Sequence, residues 1–299
     1  MTIILEQLLI LYVFLFLGWF FGKRHPEQTS HTGILSFLLV NLLLPCKVFN
    51  TFAQNFTVDY ITNNRQTIFV SVSILLILAI LSKFIAPLLT KDAYLKKVYR
   101  YSLTISNYAY MGYALMESLF GAQGLTDLIL FCIPFAMYTY TFGYTMLTGK
   151  GTSLKRIFNP LTCSILLGIV FGLLQIPLPK LVTSVLSSSS ACVGPISMLL
   201  TGFSLSIFAL KEIVSDKMTY VVVLFRLAII PLIVFTLCKT LGFTELLRPA
   251  VFMACMPCGL NTIIFPRLIG EDFTTGARLA FLSHLFSCAT IPIWISILM

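Results

Sequence analysis

The chain has 299 residues, of which 58% are apolar and only 10% are charged, and its mean hydropathy is +0.95. Water-soluble domains carry about 25% charged residues, so most of this chain is expected to lie in lipid. Each spanning helix needs about 20 apolar residues, and ten would fill nearly the whole length. This excludes a membrane-tethered enzyme and a separate cofactor-binding domain.

Apolar runs bounded by polar or Gly/Pro clusters predict ten transmembrane helices, which we call spans 1 to 10. The predicted fold class is therefore an all-α polytopic membrane protein. The ten runs cover residues 3–21, 32–52, 67–89, 99–120, 125–147, 160–176, 181–209, 218–241, 246–270 and 274–298.

The distribution of basic residues predicts the orientation of these spans. Fourteen Lys and Arg residues fall in loops on the side of the first loop, and four fall on the other side. Basic loops stay in the cytoplasm, so we expect an integral plasma-membrane protein with both termini outside. The net charge of +9 then reflects basic loops facing anionic lipid and requires no nucleic acid. Lys23 and Arg24 follow the first run, which favours a span over a cleaved signal peptide.

No catalytic motif is found in the chain. Neither Gly-x-Ser-x-Gly nor His-Glu-x-x-His is present. The eight cysteines fall within apolar runs, where cysteine acts as a small hydrophobic residue. Cys255 and Cys258 have the spacing of a redox motif but lie beside no soluble βαβ unit. An enzyme and a resident cofactor are therefore not expected.

The connector at 149–159 divides the spans five and five. An odd number of spans per half requires the second half, residues 150–299, to enter the membrane upside down relative to the first, residues 1–149. Corresponding small residues and prolines recur at an offset near 150. These are Gly18 and Gly22 with Gly168 and Gly172, and Pro45 with Pro195. The sequence thus predicts two inverted five-helix repeats.

The fourth span of each half is interrupted by polar or helix-breaking residues. Span 4 contains Ser106, Asn107, Tyr108, Tyr110 and Gly112. Span 9 contains Pro257, Gly259, Asn261 and Thr262. Inverted-repeat transporters place substrate where matching helices are broken, and the half-helix N-termini carry partial positive charge. An anion site at the two breaks is the expectation.

Two basic residues lie inside spans, Lys47 in span 2 and Arg226 in span 8. A charge at mid-membrane is costly, so both are candidate anion-binding residues, although either side chain could instead reach an interface. Glu117 and Asp127 are expected near the outer interface, and no carboxylate pair lies at mid-membrane. His284 in span 10 is expected to be a packing residue, with a proton-carrying role as the alternative.

The motifs resemble those of the auxin efflux carrier family, which includes plant auxin exporters and bacterial malate and malonate permeases. Asn41, Pro45 and Phe49 match its Asn-x3-Pro-x3-Phe signature in span 2. Residues 106–112 resemble its span 4 crossover segment. The similarity continues through Asn159-Pro160 at span 6 and Met256-Pro257-x3-Asn261 in span 9.

The resemblance implies that spans 4 and 9 cross at their breaks. It also implies a scaffold of spans 1, 2, 6 and 7, a mobile transport domain of spans 3–5 and 8–10, and a homodimer through the scaffold. Asn107 and Asn261 would contact a substrate carboxylate, helped by the crossover backbone. The short connector at 149–159 favours a bacterial-type permease over the plant type, which carries a long loop there.

These observations predict a secondary transporter of small organic anions such as malate, malonate or auxin-like acids. Na⁺ and H⁺ both remain open as coupling ions. A sodium-coupled symporter of the bile-acid type, with Ser106, Asn107 and Thr262 as ion ligands, is one alternative. A sensor or membrane scaffold that binds an anion without moving it is the other.

Overall fold

The structure is a computed structural model that describes residues 2–27, 32–151, 158–209 and 216–299. Every regular element in these ranges is a helix. We number eleven helices in chain order and leave the short turn Val58–Asn63 unnumbered. They are α1 Thr2–Arg24, α2 Thr32–Asn55, α3 Thr67–Leu89, α4 Ala93–Thr104, α5 Tyr108–Thr148, α6 Pro160–Leu173, α7 Lys180–Ser206, α8 Lys217–Thr240, α9 Leu247–Cys255, α10 Asn261–Leu268 and α11 Thr274–Leu298.

Helix ends are marked by local capping residues. Asn159 precedes α6, and its side-chain oxygen accepts a 3.0 Å hydrogen bond from the amide of Thr162. Asp92 caps α4 in the same way through the amide of Leu95 at 2.8 Å. Such caps satisfy amides that have no partner within the helix. At the end of α5, Gly149 adopts the left-handed conformation that favours glycine.

Seven helices in the described residues are long and apolar enough to cross a membrane: α1, α2, α3, α5, α7, α8 and α11. Large apolar side chains face outward along them, as for Phe69 at 70% exposed and Leu181 at 76%. Exposure of this kind is normal where lipid is the solvent. The chain is therefore an integral membrane protein.

Helix α5 is 41 residues long and folds back on itself. At Gly121 the backbone has φ 68° and ψ −169°, which is outside the helical region and open mainly to glycine. The rings of Tyr108 and Phe135 lie 6.5 Å apart, whereas a straight helix would separate these residues by about 40 Å. Gly121 is therefore the tip of a helical hairpin.

Two prolines each lie just after a wider, π-helical turn. Leu39–Leu43 and Phe225–Ile229 form π-helical turns, and Pro45 and Pro231 follow them closely. Proline lacks the amide hydrogen that a regular helix needs at that position, and a π turn accommodates the missing bond. Pro45, which the sequence predicts to be a structural residue, lies just after such a turn.

Glycines allow two helix pairs to approach closely. A Cβ atom on Gly18 of α1 would lie 2.2 Å from the carbonyl oxygen of Leu199 in α7. One on Gly172 of α6 would lie 2.5 Å from the carbonyl oxygen of Phe52 in α2. Gly22 and Gly168 make equivalent approaches in the same two pairs, to Ser206 and Phe52. Helix α1 therefore packs against α7, and α2 against α6.

Contacts between distant residues define the two ends of the bundle. At one end Lys23 donates to the carbonyl of Phe208 at 2.8 Å, and Arg267 donates to the Thr32 hydroxyl at 2.9 Å. We call this the first-loop end. At the other end the Tyr60 hydroxyl donates to Asp127 at 2.8 Å, and we call that the opposite end.

Candidate functional site: the crossover

The two interrupted segments cross and touch. Helix α4 ends at Thr104 and α9 at Cys255, and the backbone is extended at the residue that follows each helix. Ser106 and Cys258 pair as an isolated antiparallel bridge, and the amide of Asn107 donates to the carbonyl of Pro257 at 2.8 Å. We call the residues 105–112 and 256–262 the crossover.

Glycine permits this close approach. A Cβ atom on Gly259 would lie 3.2 Å from the carbonyl oxygen of Ser106, and one on Gly112 would lie 3.3 Å from the Met256 side chain. Such distances are tighter than ordinary van der Waals contact, so larger residues would push the two segments apart. At both positions the absence of a side chain is what lets the two segments cross at this distance.

Arg226 lies at the C-terminal ends of α4 and α9, just before both breaks, and is fully buried. Its Nη1 donates to the carbonyl of Leu103 at the end of α4 at 3.2 Å. Its Nε and Nη2 donate to the carbonyls of Met256 and Ala254 at 3.2 and 2.7 Å. A helix C-terminus carries partial negative charge and unpaired carbonyls. Arg226 therefore caps α4 and α9 together, a role that the sequence did not predict.

Asn107 lies at the start of α5 and is buried. Its side-chain nitrogen is 3.0 Å from Nε2 of His284 on α11. Nδ1 of the same imidazole is 2.7 Å from the carbonyl oxygen of Ala280. The amide oxygen of Asn107 has no hydrogen-bond partner among the described residues. His284 thus contacts the crossover through the side chain of Asn107.

Asn261 opens α10, and its side-chain nitrogen donates to the hydroxyl of Tyr101 at 2.9 Å. Tyr101 is fully buried on α4. Because a hydrogen bond with this geometry orients the amide, Tyr101 positions Asn261. Tyr101 is one of several tyrosines on α4, and nothing in the local sequence distinguishes it.

Two neighbouring cavities adjoin the crossover. The smaller, about 20 Å³, has room for about one water molecule. The larger, about 700 Å³, is lined near the first-loop end by Thr32 and Arg267. Tyr110, Tyr140 and Asn261 line both cavities. The two cavities are therefore neighbours, one at the crossover and the other reaching residues of the first-loop end.

Most of the predicted site residues gather around these cavities. Ser106, Asn107 and Tyr108 line the small cavity, and Asn41 lines the large one. Pro257 contributes its backbone carbonyl to the crossing. The Thr262 hydroxyl donates to the carbonyl of Gly259 at 3.1 Å and is buried within the crossover.

Lys47 lies apart from both cavities. It forms an ion pair with Glu117 of α5, joining α2 to the hairpin. Lys47 is 2% exposed and Glu117 is 44% exposed. Both residues line a separate cavity of about 220 Å³ between α1, α2, α5 and α7. The structure therefore places Lys47 in an interhelical ion pair and away from the small cavity at Asn107.

Comparison with known proteins identifies the class. A family model described as membrane transport protein matches residues 3–155 and 150–295. The chain belongs to this membrane transport protein family, which is auxin efflux carrier-like, and the resemblance predicted from its motifs is confirmed. It is a transporter and not an enzyme.

Two archaeal proteins are similar over nearly their full length. An uncharacterized transporter of Methanocaldococcus jannaschii is 27% identical over 306 residues, covering 97% of each chain. An uncharacterized transporter of Methanothermobacter thermautotrophicus is 23% identical over 299 residues, covering 97% of this chain and 96% of the relative. Both relatives are transporters by name, and neither name includes a substrate.

Proposed function

We propose that this protein is a secondary transporter that moves small organic anions across the plasma membrane by alternating access. Carboxylates such as malate, malonate or auxin-like acids are the expected substrates. The observation that carries this proposal is the crossover, where Asn107 and Asn261 line the smaller cavity and Asn261 also lines the larger one, which includes Thr32 and Arg267 of the first-loop end. The larger cavity falls within the usual volume range of small-molecule sites, about 300–1,000 Å³.

The electrostatics of the crossover favour an anion. Helices α5 and α10 begin at Tyr108 and Asn261, and both of these residues line the small cavity. Helix N-termini present amides and partial positive charge. The negative C-terminal ends of α4 and α9 are meanwhile capped by Arg226. This arrangement leaves the positive ends to act on a bound carboxylate.

The packing supports the proposed division into a scaffold and a transport domain. The scaffold would comprise α1, α2, α6 and α7, which meet through the close glycine contacts. If residues 1–149 and 150–299 are inverted repeats, α1 corresponds to α6 and α2 to α7. The pair α1 with α7 then maps onto the pair α6 with α2, as two-fold symmetry requires. In a ten-span protein, the two arms of the α5 hairpin and the short helices α4, α9 and α10 would account for membrane crossings that the other long helices and α6 do not provide.

The same division assigns a conformational state. The large cavity is lined by scaffold residues such as Asn41 and by transport-domain residues such as Phe265, and it reaches the first-loop end. Toward the opposite end, Lys47 of the scaffold pairs with Glu117 of the transport domain. We infer that the structure is open to the first-loop side, which basic loops place in the cytoplasm.

Counterflow in proteoliposomes tests the proposal. Purified full-length protein is reconstituted, loaded with one unlabelled anion, and assayed for uptake of labelled malate, malonate and indole acetate. Loss of a hydrogen bond to a charged group costs about 1.5–3 kcal/mol. We therefore expect Asn107→Ala and Asn261→Ala to weaken apparent affinity for the active anion at least about tenfold. Asn63→Ala, at an exposed position outside the crossover, is the matched control.

Three other outcomes reject the proposal in different ways. Transport at the wild-type rate by both crossover variants would show that the substrate does not bind at the crossover. Uptake that requires a sodium gradient would select the sodium-coupled symporter. Thermal stabilisation by an anion without any counterflow would select a sensor.

A further inference from the structure

The imidazole of His284 has a single neutral tautomer that fits its surroundings. Nδ1 lies 2.7 Å from the carbonyl oxygen of Ala280. A carbonyl oxygen only accepts hydrogen bonds, so Nδ1 carries the proton. In the neutral ring Nε2 is then an acceptor, and it receives a hydrogen from the Asn107 side-chain nitrogen at 3.0 Å. The neutral imidazole thereby sets the orientation of the Asn107 amide.

This orientation is unfavourable for a carboxylate. With its nitrogen turned to His284, Asn107 presents its oxygen to the other side, and that oxygen has no partner among the described residues. Carboxylate oxygens are acceptors only. The neutral site therefore places one acceptor where a bound carboxylate needs a donor.

We propose that protonation of His284 reverses the Asn107 amide and so couples anion binding to a proton, which rests on the proposed function above. In the imidazolium both ring nitrogens donate. Nε2–H then requires an acceptor, and the Asn107 oxygen becomes one by rotation about its terminal side-chain bond. The nitrogen of the amide turns away from His284 and offers its hydrogens to the carboxylate.

The coupling works in both directions. A buried imidazolium without a counter-charge is costly, and the bound carboxylate supplies that charge. By linkage, the anion favours protonation as strongly as protonation favours the anion. The proton and the substrate would thus enter the crossover together and cross the membrane in the same direction.

The segments that surround His284 contain no carboxylate that could replace the substrate as the counter-charge of the imidazolium. Residues 99–112, 217–240, 250–262 and 276–299 contain neither Asp nor Glu. From α1, the Tyr12 hydroxyl donates to the backbone carbonyl of His284 at 2.8 Å. The one carboxylate on the helices packed against α11 is Glu6 of α1, which is exposed. The other charged or titratable groups on these helices, on the crossover and on α11 itself are Lys23, Arg24, Tyr94, Lys96, Lys97, Tyr99, Arg100, Tyr101, Tyr108, Tyr110, Lys180, Cys192, Lys217, Tyr220, Arg226, Cys238, Lys239, Arg248, Cys255, Cys258, Arg267, Arg278 and Cys288.

Proton uptake on binding is the first test. Malate is titrated into detergent-solubilised wild-type protein at about pH 6.5, by calorimetry in buffers of different ionisation enthalpy. If His284 titrates with the anion, we expect uptake that approaches about one proton per malate. Malate binding without proton uptake would overturn the inference, and this measurement needs no variant.

His284→Gln is the second test, because its side chain can accept from Asn107 but cannot titrate. Malate affinity of the wild type should weaken at least about fivefold between about pH 6 and about pH 8, beyond any change in the variant. Malate itself titrates in the same way in both experiments, so the difference between the two pH profiles comes from the protein. His25→Gln, at an exposed site, is the matched control and should retain the wild-type profile.

The outcomes separate this inference from the proposed function. Equal pH profiles for wild type and His284→Gln would overturn the inference while leaving anion transport intact. A sodium requirement in place of the pH dependence would also overturn it. Failure of the wild type to bind malate, malonate or indole acetate at any pH would overturn both.

Discussion

The guanidinium of Arg226 and the carbonyl oxygen of Ala254 lie 2.7 Å apart in the middle of the helical bundle. Further bonds from the same side chain reach the carbonyls of Met256 and Leu103, so that one cation joins the ends of two broken helices. A break in a membrane helix exposes carbonyls that lipid cannot satisfy. Arg226 therefore satisfies carbonyls at the broken ends of both α4 and α9.

Replacing Arg226 is expected to destabilise the fold strongly. Arg226→Met keeps an apolar stem but leaves the buried carbonyls of Leu103 and Ala254 without this donor. Each unsatisfied group costs about 1–3 kcal/mol, and the loss at both carbonyls corresponds in a chain of this length to a fall in Tm of roughly 3–10 °C. Thermal unfolding in detergent measures it, with exposed Arg65→Met as the control. An unchanged Tm would show that these bonds do not stabilise the breaks.

Tyr101→Phe is expected to impair binding without unfolding the protein. The change keeps the buried ring and removes the oxygen that receives the Asn261 amide hydrogen at 2.9 Å. Loss of a neutral hydrogen bond costs about 0.5–1.5 kcal/mol, so apparent substrate affinity should weaken roughly threefold to tenfold. Counterflow KM is the measurement. Tyr99→Phe, on the same helix, should have little effect, and an unchanged KM for Tyr101→Phe would contradict the positioning role.

The Lys47–Glu117 pair should show energetic coupling. Lys47→Met leaves the Glu117 carboxylate without its cation, and Glu117→Met leaves the lysine buried and unpaired. The double variant removes both charges, so its loss in free energy of unfolding should fall short of the sum of the two single losses. Residues in direct contact typically differ from additivity by about 0.5–3 kcal/mol. Additive losses in a double-mutant cycle would show that the pair contributes nothing.

The glycine contacts of the two helix pairs should be equally intolerant of a methyl group. Gly18→Ala places a carbon against the backbone of Leu199, and Gly168→Ala places one against Phe52. Overpacking of this kind costs about 1–3 kcal/mol, and Tm should fall for both. Gly33→Ala meets nothing within 4 Å and serves as the control. Loss of stability at Gly18 alone would argue against equivalent roles for the two pairs.

Local chemistry in the sequence was enough to locate the crossover. Asn107 and Asn261 stand beside serine, glycine and proline inside otherwise apolar runs, and such interruptions are conspicuous in a membrane helix. The glycines at 18, 22, 168 and 172 were equally visible, since small residues four apart lie on one face of a helix. Their actual packing partners, on α7 and α2, come only from the structure.

Long-range partners could not be predicted in the same way. Arg226 acts on carbonyls near residues 103 and 254, and His284 meets Asn107 across 177 positions of sequence. Lys47 and Glu117 are 70 positions apart. A basic or imidazole side chain in an apolar run signals that a partner exists, but nothing in the run itself identifies the partner. Three-dimensional packing decides between a substrate contact, a helix cap and an ion pair.

The glycine-mediated pairs also determine how the two parts of the chain depend on each other. Helix α1 packs on α7 and α2 packs on α6, so each close pair takes one helix from either side of the connector between Gly149 and Asn159. The halves are interlaced and do not stand side by side as separate modules. A protein cleaved in that connector would still be held together by both pairs, whereas either half made alone would expose a grooved glycine face that only the other half can fill.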